Sequence, residues 1–206
     1  MKKMLILLSG TPGSGKSTLA EKLAEEFNLK RIFASGIMRQ IKEEAKLDIE
    51  KAEKGTGFWE SELGKKLTEE RLKDSYYDLE LDKRLLEIAE KEERAIFDSR
   101  MMAWLYKGKH AFRIWLDASE DVRAERIAKR DRLAVEEVKK AMRERFEADA
   151  RIYEKLYKVD IRNDRSPFDL VLKTDNLNEQ EVFEIVSLII RRFFDVNKQP
   201  LKTKSL

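Results

Sequence analysis

The stretch LSGTPGSGKST, Leu8–Thr18, decides the fold. Gly10, Gly15, Lys16 and Ser17 satisfy G-x-x-x-x-G-K-[ST] between the apolar run MLILLS and a segment in which Leu19, Leu23 and Phe27 recur every four residues. Strand, glycine loop and amphipathic helix, in that order, are the setting a phosphate loop requires. Gly10, Gly13 and Gly15 let backbone N–H groups turn inward around phosphate oxygens, with Pro12, Ser14 and Thr18 completing the loop. The N-terminus of the following helix adds a favourable dipole. Lys16 is expected to bridge the terminal phosphates of a nucleoside triphosphate, and the Ser17 hydroxyl to hold Mg²⁺.

The rest of the composition narrows the class. A chain of 206 residues with 42% hydrophobic content suits one domain with one sizeable core. Lys and Arg number 43 against 40 acidic side chains, a net +3, so the bulk field points to neither a nucleic acid nor a membrane. Nucleic acid is not an expected partner, and a monomer is expected, with a dimer as the alternative. The absence of cysteine excludes disulfides, thiolate metal sites and cysteine nucleophiles, and fits a cytoplasmic setting. His110, the single histidine, cannot form a metal cluster. The start MKKMLILLSG imitates a signal peptide, but its apolar part, Met4–Leu8, is that of a buried strand. No stretch approaches the roughly 20 apolar residues that span a bilayer.

Short apolar runs, MLILLS, RIFAS, RAIFDS, FRIWLDA and DLVLKT, alternate with helical patterns. That alternation predicts an α/β fold, a parallel sheet covered by helices. The first helix should run from Gly15 to about Phe27. Gln40 to Glu93 is charged, helical in pattern and interrupted near Lys54–Phe58, which marks an insertion between the second and third strands. A second helical excursion, Ala134 to Lys158, carries Val135, Val138, Met142 and Phe146 on one stripe. The expected division is a core of 1–34, 94–130 and 165–196, an insertion of about 35–93, a lid of about 131–164, and a tail from 197 to 206.

The branch of phosphate-loop protein follows from what surrounds the loop. The only Asn-Lys pair, Asn197-Lys198, lacks the N-K-x-D continuation of a GTP switch. Two strands end in an acid that could orient Mg²⁺. Asp98 is preferred, because FDSR puts Arg100 beside it at a strand's carboxyl end, and Asp117 is expected to cap the next helix. Arg39, Arg100, Arg126, Arg130, Arg145 and Arg151 supply the cations that transfer between two phosphates demands. A phosphate acceptor, with a second pKa of about 6, is largely a dianion near neutrality and needs no general base. The competing reading of the arginines is a solvated helix face.

With these residues in place, the sequence resembles the nucleoside monophosphate kinases, most closely the archaeal-type cytidylate kinase and cytidylate kinase-like family. The resemblance covers roughly Met4 to Ile190 and rests on the phosphate loop, SGIMR, DLELDKRLLEIA, FDSRMMAWL, VRAERIAKRD and RERFEADARIYEKLYKVDIRNDRSPFDLVLKT. It implies a phosphate-loop fold of three layers with a five-stranded sheet in the order 2-3-1-4-5, ATP as donor with Mg²⁺, and CMP as acceptor, with dCMP or UMP as alternatives. It implies that Ser35 and Arg39 face the acceptor, that Asp98 serves metal and acceptor, and that Arg100 holds the acceptor phosphate or base. Arg126 would stack near the donor base and Arg130 touch donor phosphates. Arg145 and Arg151 would close over the transferring group, with Asp149 orienting an arginine or the cytosine. In SGIMR, Gly36 to Arg39 is three residues where the family has four, so Ser35 replaces the glycine or the turn is shortened. YKVD, Tyr157–Asp160, lacks a family glycine, and Phe58, Trp59, Tyr76 and Tyr77 either pack the insertion or line an altered acceptor pocket. The alternatives are a kinase of AMP or another small phosphorylated metabolite, and, from another class, a nucleotide switch or nucleic-acid-associated ATPase.

Overall fold

The structure is a computed structural model, and it describes residues 3–44 and 62–195. In chain order the elements are β1 (Met4–Gly10), α1 (Lys16–Phe27), β2 (Lys30–Phe33), α2 (Ala34–Glu44), α3 (Glu62–Lys73), α4 (Tyr76–Lys91), β3 (Arg94–Asp98) and α5 (Met102–Leu105). They continue with β4 (Ala111–Asp117), α6 (Glu120–Asp131), α7 (Val135–Tyr157), β5 (Leu170–Lys173) and α8 (Glu179–Phe193). The five strands form one sheet, β2-β3-β1-β4-β5, in which every neighbouring pair is parallel.

β1 lies at the centre and is buried throughout, which is why it reads as an uninterrupted apolar run. Its side chains alternate between two cores. Met4, Ile6 and Leu8 meet α1 and α8 through Leu19, Leu23, Phe27, Val186 and Ile190. Leu5 and Leu7 meet α2 and α4 through Ile37, Ile41, Leu85 and Ala89. Helices on both faces of a parallel sheet give the three layers. Among the described residues, no helix is long and apolar enough to cross a membrane.

Three local readings of the sequence change. RIFAS is not all strand: β2 ends at Phe33 and α2 begins at Ala34, so Ser35 and Gly36 sit in the first turn of a helix. Asp117 does not cap α6. Ser119 does, accepting from the Val122 N–H, while Asp117 accepts a hydrogen bond from the Thr11 hydroxyl at 3.0 Å. The α7 stripe splits, with Val135, Val138 and Met142 packing on α6 and Phe146 joining Trp104, Trp115 and Tyr153. Lys158 takes φ +57 at the end of α7, the left-handed conformation a glycine adopts most easily. Tyr77 is part of the core on its face of the sheet, whereas Tyr76 is exposed. The expected break at Lys54–Phe58, Phe58, Trp59 and the tail 197–206 lie outside the described residues.

Candidate active site

At the carboxyl end of β1 the chain leaves the sheet under steric compulsion. Gly10 has φ +151, and a Cβ there would stand 2.2 Å from the Leu116 carbonyl oxygen of β4, so no side chain fits. Gly15, at φ +91, precedes α1 and opens its N-terminal N–H groups toward the loop. The loop closes on itself, the Ser14 hydroxyl and the Lys16 Nζ both donating to the Thr11 carbonyl, at 2.8 and 2.7 Å.

Asp98 ends β3, the neighbouring strand, and accepts a hydrogen bond from the Ser17 hydroxyl at 2.8 Å. Two hard oxygen donors side by side fit Mg²⁺, which keeps much of its water when protein binds it. Among the described residues no group of three or more His, Cys, Asp or Glu side chains gathers, so a cation here would complete its shell with water and phosphate. Beyond Asp98 the chain is pinned from below. Buried Ser9 donates to the carbonyls of Ser99 and Arg100, at 2.9 and 3.0 Å, which sets where the Arg100 side chain starts.

Cations converge on this loop from three elements. Arg100 follows β3, Arg123 lies on α6 with Nη1 donating to the Pro12 carbonyl at 3.2 Å, and Arg145 lies on α7. Burial pushes the Lys16 ammonium down to about 7. Asp98 opposes that shift, and the charges of Arg100, Arg145 and Arg123 add to it. Cations held together out of water repel one another, and a polyphosphate is the ligand that relieves the repulsion.

Behind the cations stands a buried ionic network. Asp149 of α7 accepts from Arg71 of α3 at 2.9 Å and from Arg100 at 2.5 Å, with Arg145 at 4.0 Å. Burial opposes its ionisation, but Arg100, Arg71 and Arg145 outweigh it and hold its carboxyl below the usual carboxylate range. Arg71 also forks onto Asp78 of α4, and the Tyr157 hydroxyl donates to Asp82 at 2.8 Å. Burial pushes Asp82 up to about 7, with Asp78 adding to the shift and Tyr157 and Arg71 resisting it.

The folded chain therefore retains a proton on Asp82 that the unfolded chain releases near pH 4, and stability falls as pH rises between about 4 and 7. Asp82→Asn should accordingly raise the urea midpoint over wild type at pH 8, and the gain should shrink by pH 5. A gain of the same size at both values would show that Asp82 is not the group that titrates.

The sequence-predicted residues are only partly gathered. Lys16, Ser17, Asp98, Arg100, Arg145 and Asp149 form one connected group, through Ser17 to Asp98, the charges around Lys16 and the bonds to Asp149. Phe33 pairs with Asp98 in the sheet, so Ser35 opens α2 at the same end, where it is exposed, and Arg39 bonds to the Ser35 carbonyl at 3.3 Å. Arg126 is turned to Thr174, its Nη1 and Nη2 bonding the hydroxyl and carbonyl.

Arg130 and Arg151 stand outside this connected group. Arg130 is exposed and forks onto Asp131. Seven residues beyond Arg123, it stands about 10 Å further along the helix axis. Arg151 follows Asp149 by two residues, which rotates it about 200° to the exposed face of α7, where its charge bears on Glu147.

Arg71, Asp78, Asp82 and Arg123 were missed. The two acids do carry a signal, since Asp78, Asp82, Leu85 and Ala89 share the buried stripe of α4, and a carboxylate in an apolar stripe needs a partner. Arg123 lies three residues before Arg126, one turn nearer the carboxyl end of β4.

Residues 5–176 match the cytidylate kinase-like family. The chain is 36% identical over 188 residues to the cytidylate kinase of Pyrococcus horikoshii, covering 91% of this chain and 88% of that one. It is 35% identical over 196 residues to the cytidylate kinase of Methanopyrus kandleri, covering 91% and 93%. A shikimate kinase from Bacteroides thetaiotaomicron shares the fold, with a TM-score of 0.55 at 17% identity, covering 94% of this chain and 99% of that one. Phosphate loop, cation cluster, sheet order and a match across most of the chain agree: this chain belongs to the cytidylate kinase-like family.

Proposed function

We propose that the chain transfers the γ-phosphoryl group of ATP to CMP, giving ADP and CDP, and that dCMP and UMP are its secondary acceptors. The observation that carries this reading is the convergence of Lys16, Arg100, Arg123 and Arg145 on one glycine loop. A site for one triphosphate alone has less need of arginines from both the β3 loop and α7. Two phosphates brought to reacting distance repel, and charge also spreads over the migrating group, so cations on both sides supply the stabilisation. The relatives named cytidylate kinase make CMP the first choice among monophosphates.

In this reading the backbone N–H groups of 10–18 and Lys16 hold the donor phosphates, with Arg123 beside the loop and Arg126 anchoring α6 near the donor base. Mg²⁺, held by Ser17 and by Asp98 through water, would neutralise charge on the donor phosphates. Arg100 and Arg145 receive the acceptor phosphate, and Ser35 and Arg39 extend its site along α2. The helices between β2 and β3 act as the acceptor-binding insertion, and the α6–α7 region acts as a lid that excludes water from ATP. No general base is assigned, because an acceptor phosphate with a pKa of about 6 arrives as a dianion.

The test is ADP formation from ATP and Mg²⁺ with CMP, dCMP, UMP and AMP, alongside a single-stranded RNA. CMP should give the highest kcat/KM, about tenfold or more above AMP, a discrimination of at least about 1.4 kcal/mol. Indifference to every monophosphate together with stimulation by RNA would replace this reading with a nucleic-acid-dependent ATPase.

A further inference from the structure

One buried line of charges ties α4 and α3 to the phosphate loop. Asp78 accepts from Arg71 through Nε at 3.1 Å and Nη2 at 2.6 Å. The third nitrogen of the same guanidinium, Nη1, donates to Asp149 Oδ1 at 2.9 Å, and Arg100 Nη1 donates to Asp149 Oδ2 at 2.5 Å. The side chains of Arg71, Asp78 and Asp149 are each no more than 4% exposed. Each oxygen of Asp149 thus answers a different arginine. A carboxylate turns about one bond, so fixing Oδ1 fixes the direction in which Oδ2 faces.

We propose that Arg71 is a positioning residue for phosphoryl transfer: braced by Asp78, it orients Asp149, and Asp149 in turn presents Arg100 to the phosphate loop. The inference rests on the kinase reading for what Arg100 does, and on the geometry alone for how Arg100 is held. Stability is a poor reason for such a line, because a buried ion pair is often matched or bettered by apolar residues of the same volume. Geometry is a better one. A planar fork with fixed angles between its donors can hold two carboxylates in a set relation, which a lysine ammonium cannot. Misplacing a group at a phosphoryl-transfer site by about 1 Å costs on the order of 10²-fold in rate.

Two substitutions separate this from a merely structural role. Arg71→Lys keeps the charge and loses the fork, and Arg71→Met loses both. With ATP and CMP, Arg71→Met should lower kcat by about 10–100-fold while KM for ATP moves less than about twofold. Arg71→Lys should melt close to wild type yet still lose about tenfold in kcat. In an Arg100→Ala background, Arg71→Met should cost less than about threefold, since it acts through the group already removed.

Losses that multiply independently would overturn the proposal, as would a wild-type kcat in Arg71→Lys. If Arg71→Met does not fold, Arg71→Lys is carried into the Arg100→Ala background instead. If wild type phosphorylates no monophosphate, the acceptor reading fails. The line of charges is then judged by urea unfolding of Arg71→Met, Arg100→Ala and the pair, where coupling of about fivefold or more in the unfolding constant is expected and additivity overturns it.

Discussion

Lys16→Met should lower kcat for phosphoryl transfer by about 10³-fold or more while leaving the fold intact, because the lysine serves charge that develops on the donor phosphates and little else. Its side chain is half-buried and its ammonium donates to a carbonyl of its own loop, Thr11. Deleting a buried ammonium pushed down to about 7 removes a burden on the folded state, so melting should be unchanged or slightly higher. The same shift has a sign that calorimetry reads. Free Lys16 is mostly neutral at pH 8, and anionic phosphates restore its ordinary basicity, so ATP binding should take up about one proton at pH 8 that Lys16→Met does not. Near pH 6 the lysine is already charged and the difference between the two proteins should vanish. Titrations in buffers of unlike ionisation enthalpy measure the uptake, and equal uptake by both proteins at pH 8 would remove Lys16 from the donor site.

Asp149→Ala should be the most destabilising single change in the site. Asp149 neutralises Arg71 and Arg100 and lies within 4.0 Å of Arg145, and its side chain is 3% exposed. Removing one partner from a buried ionic group leaves uncompensated charge behind, at a cost of about 3–5 kcal/mol, a large part of the 5–15 kcal/mol that folds a typical domain. Asp149→Asn keeps the shape and should be less costly, although it still leaves the arginines without a counter-charge. The contribution of Asp149 should be present in full above the usual carboxylate range and disappear as pH falls through its lowered value, so the cost should be full at pH 7 and shrink steadily as the solution is acidified below that range. A loss under about 1 kcal/mol at pH 7 in urea unfolding would mean that the arginines find other partners, and that the network is looser than its geometry implies.

The legible part of this protein is the part whose signal is local. G-x-x-x-x-G-K-[ST] between an apolar run and a helical stripe specifies both the fold class and the loop, because every residue it needs lies within Gly10–Ser17. Burial on both faces likewise makes Met4–Leu8 of β1 an unbroken apolar run, legible as a buried strand. β2 stops at Phe33, short of the end of the RIFAS run, because Ala34 favours helix and the packing of Ile37 and Ile41 on the sheet draws Ser35 and Gly36 into α2 with it. Arginines were the harder problem. In a chain with 40% charged residues, the spacing of Arg130 or Arg151 does not tell a site-facing side chain from a solvated one. Arg71 is the hardest to find: Asp78, seven positions on, signals only a buried partner, and the link to the site runs through Asp149, 78 positions away.

The central place of β1 sets the order in which the chain can fold. Its neighbours are β3 and β4, so the first strand made has no partner until residues 94–98 and 111–117 exist. At about 5–20 residues per second, roughly 5–20 s of synthesis separate β1 from β4, and MLILLS spends that time without its sheet. The Ser17–Asp98 and Arg123–Pro12 contacts bridge 81 and 111 positions, so the nucleotide site closes only after the long-range pairings form. Nucleotide affinity would therefore be a late marker of maturation, appearing in a refolding time course after helix content has returned.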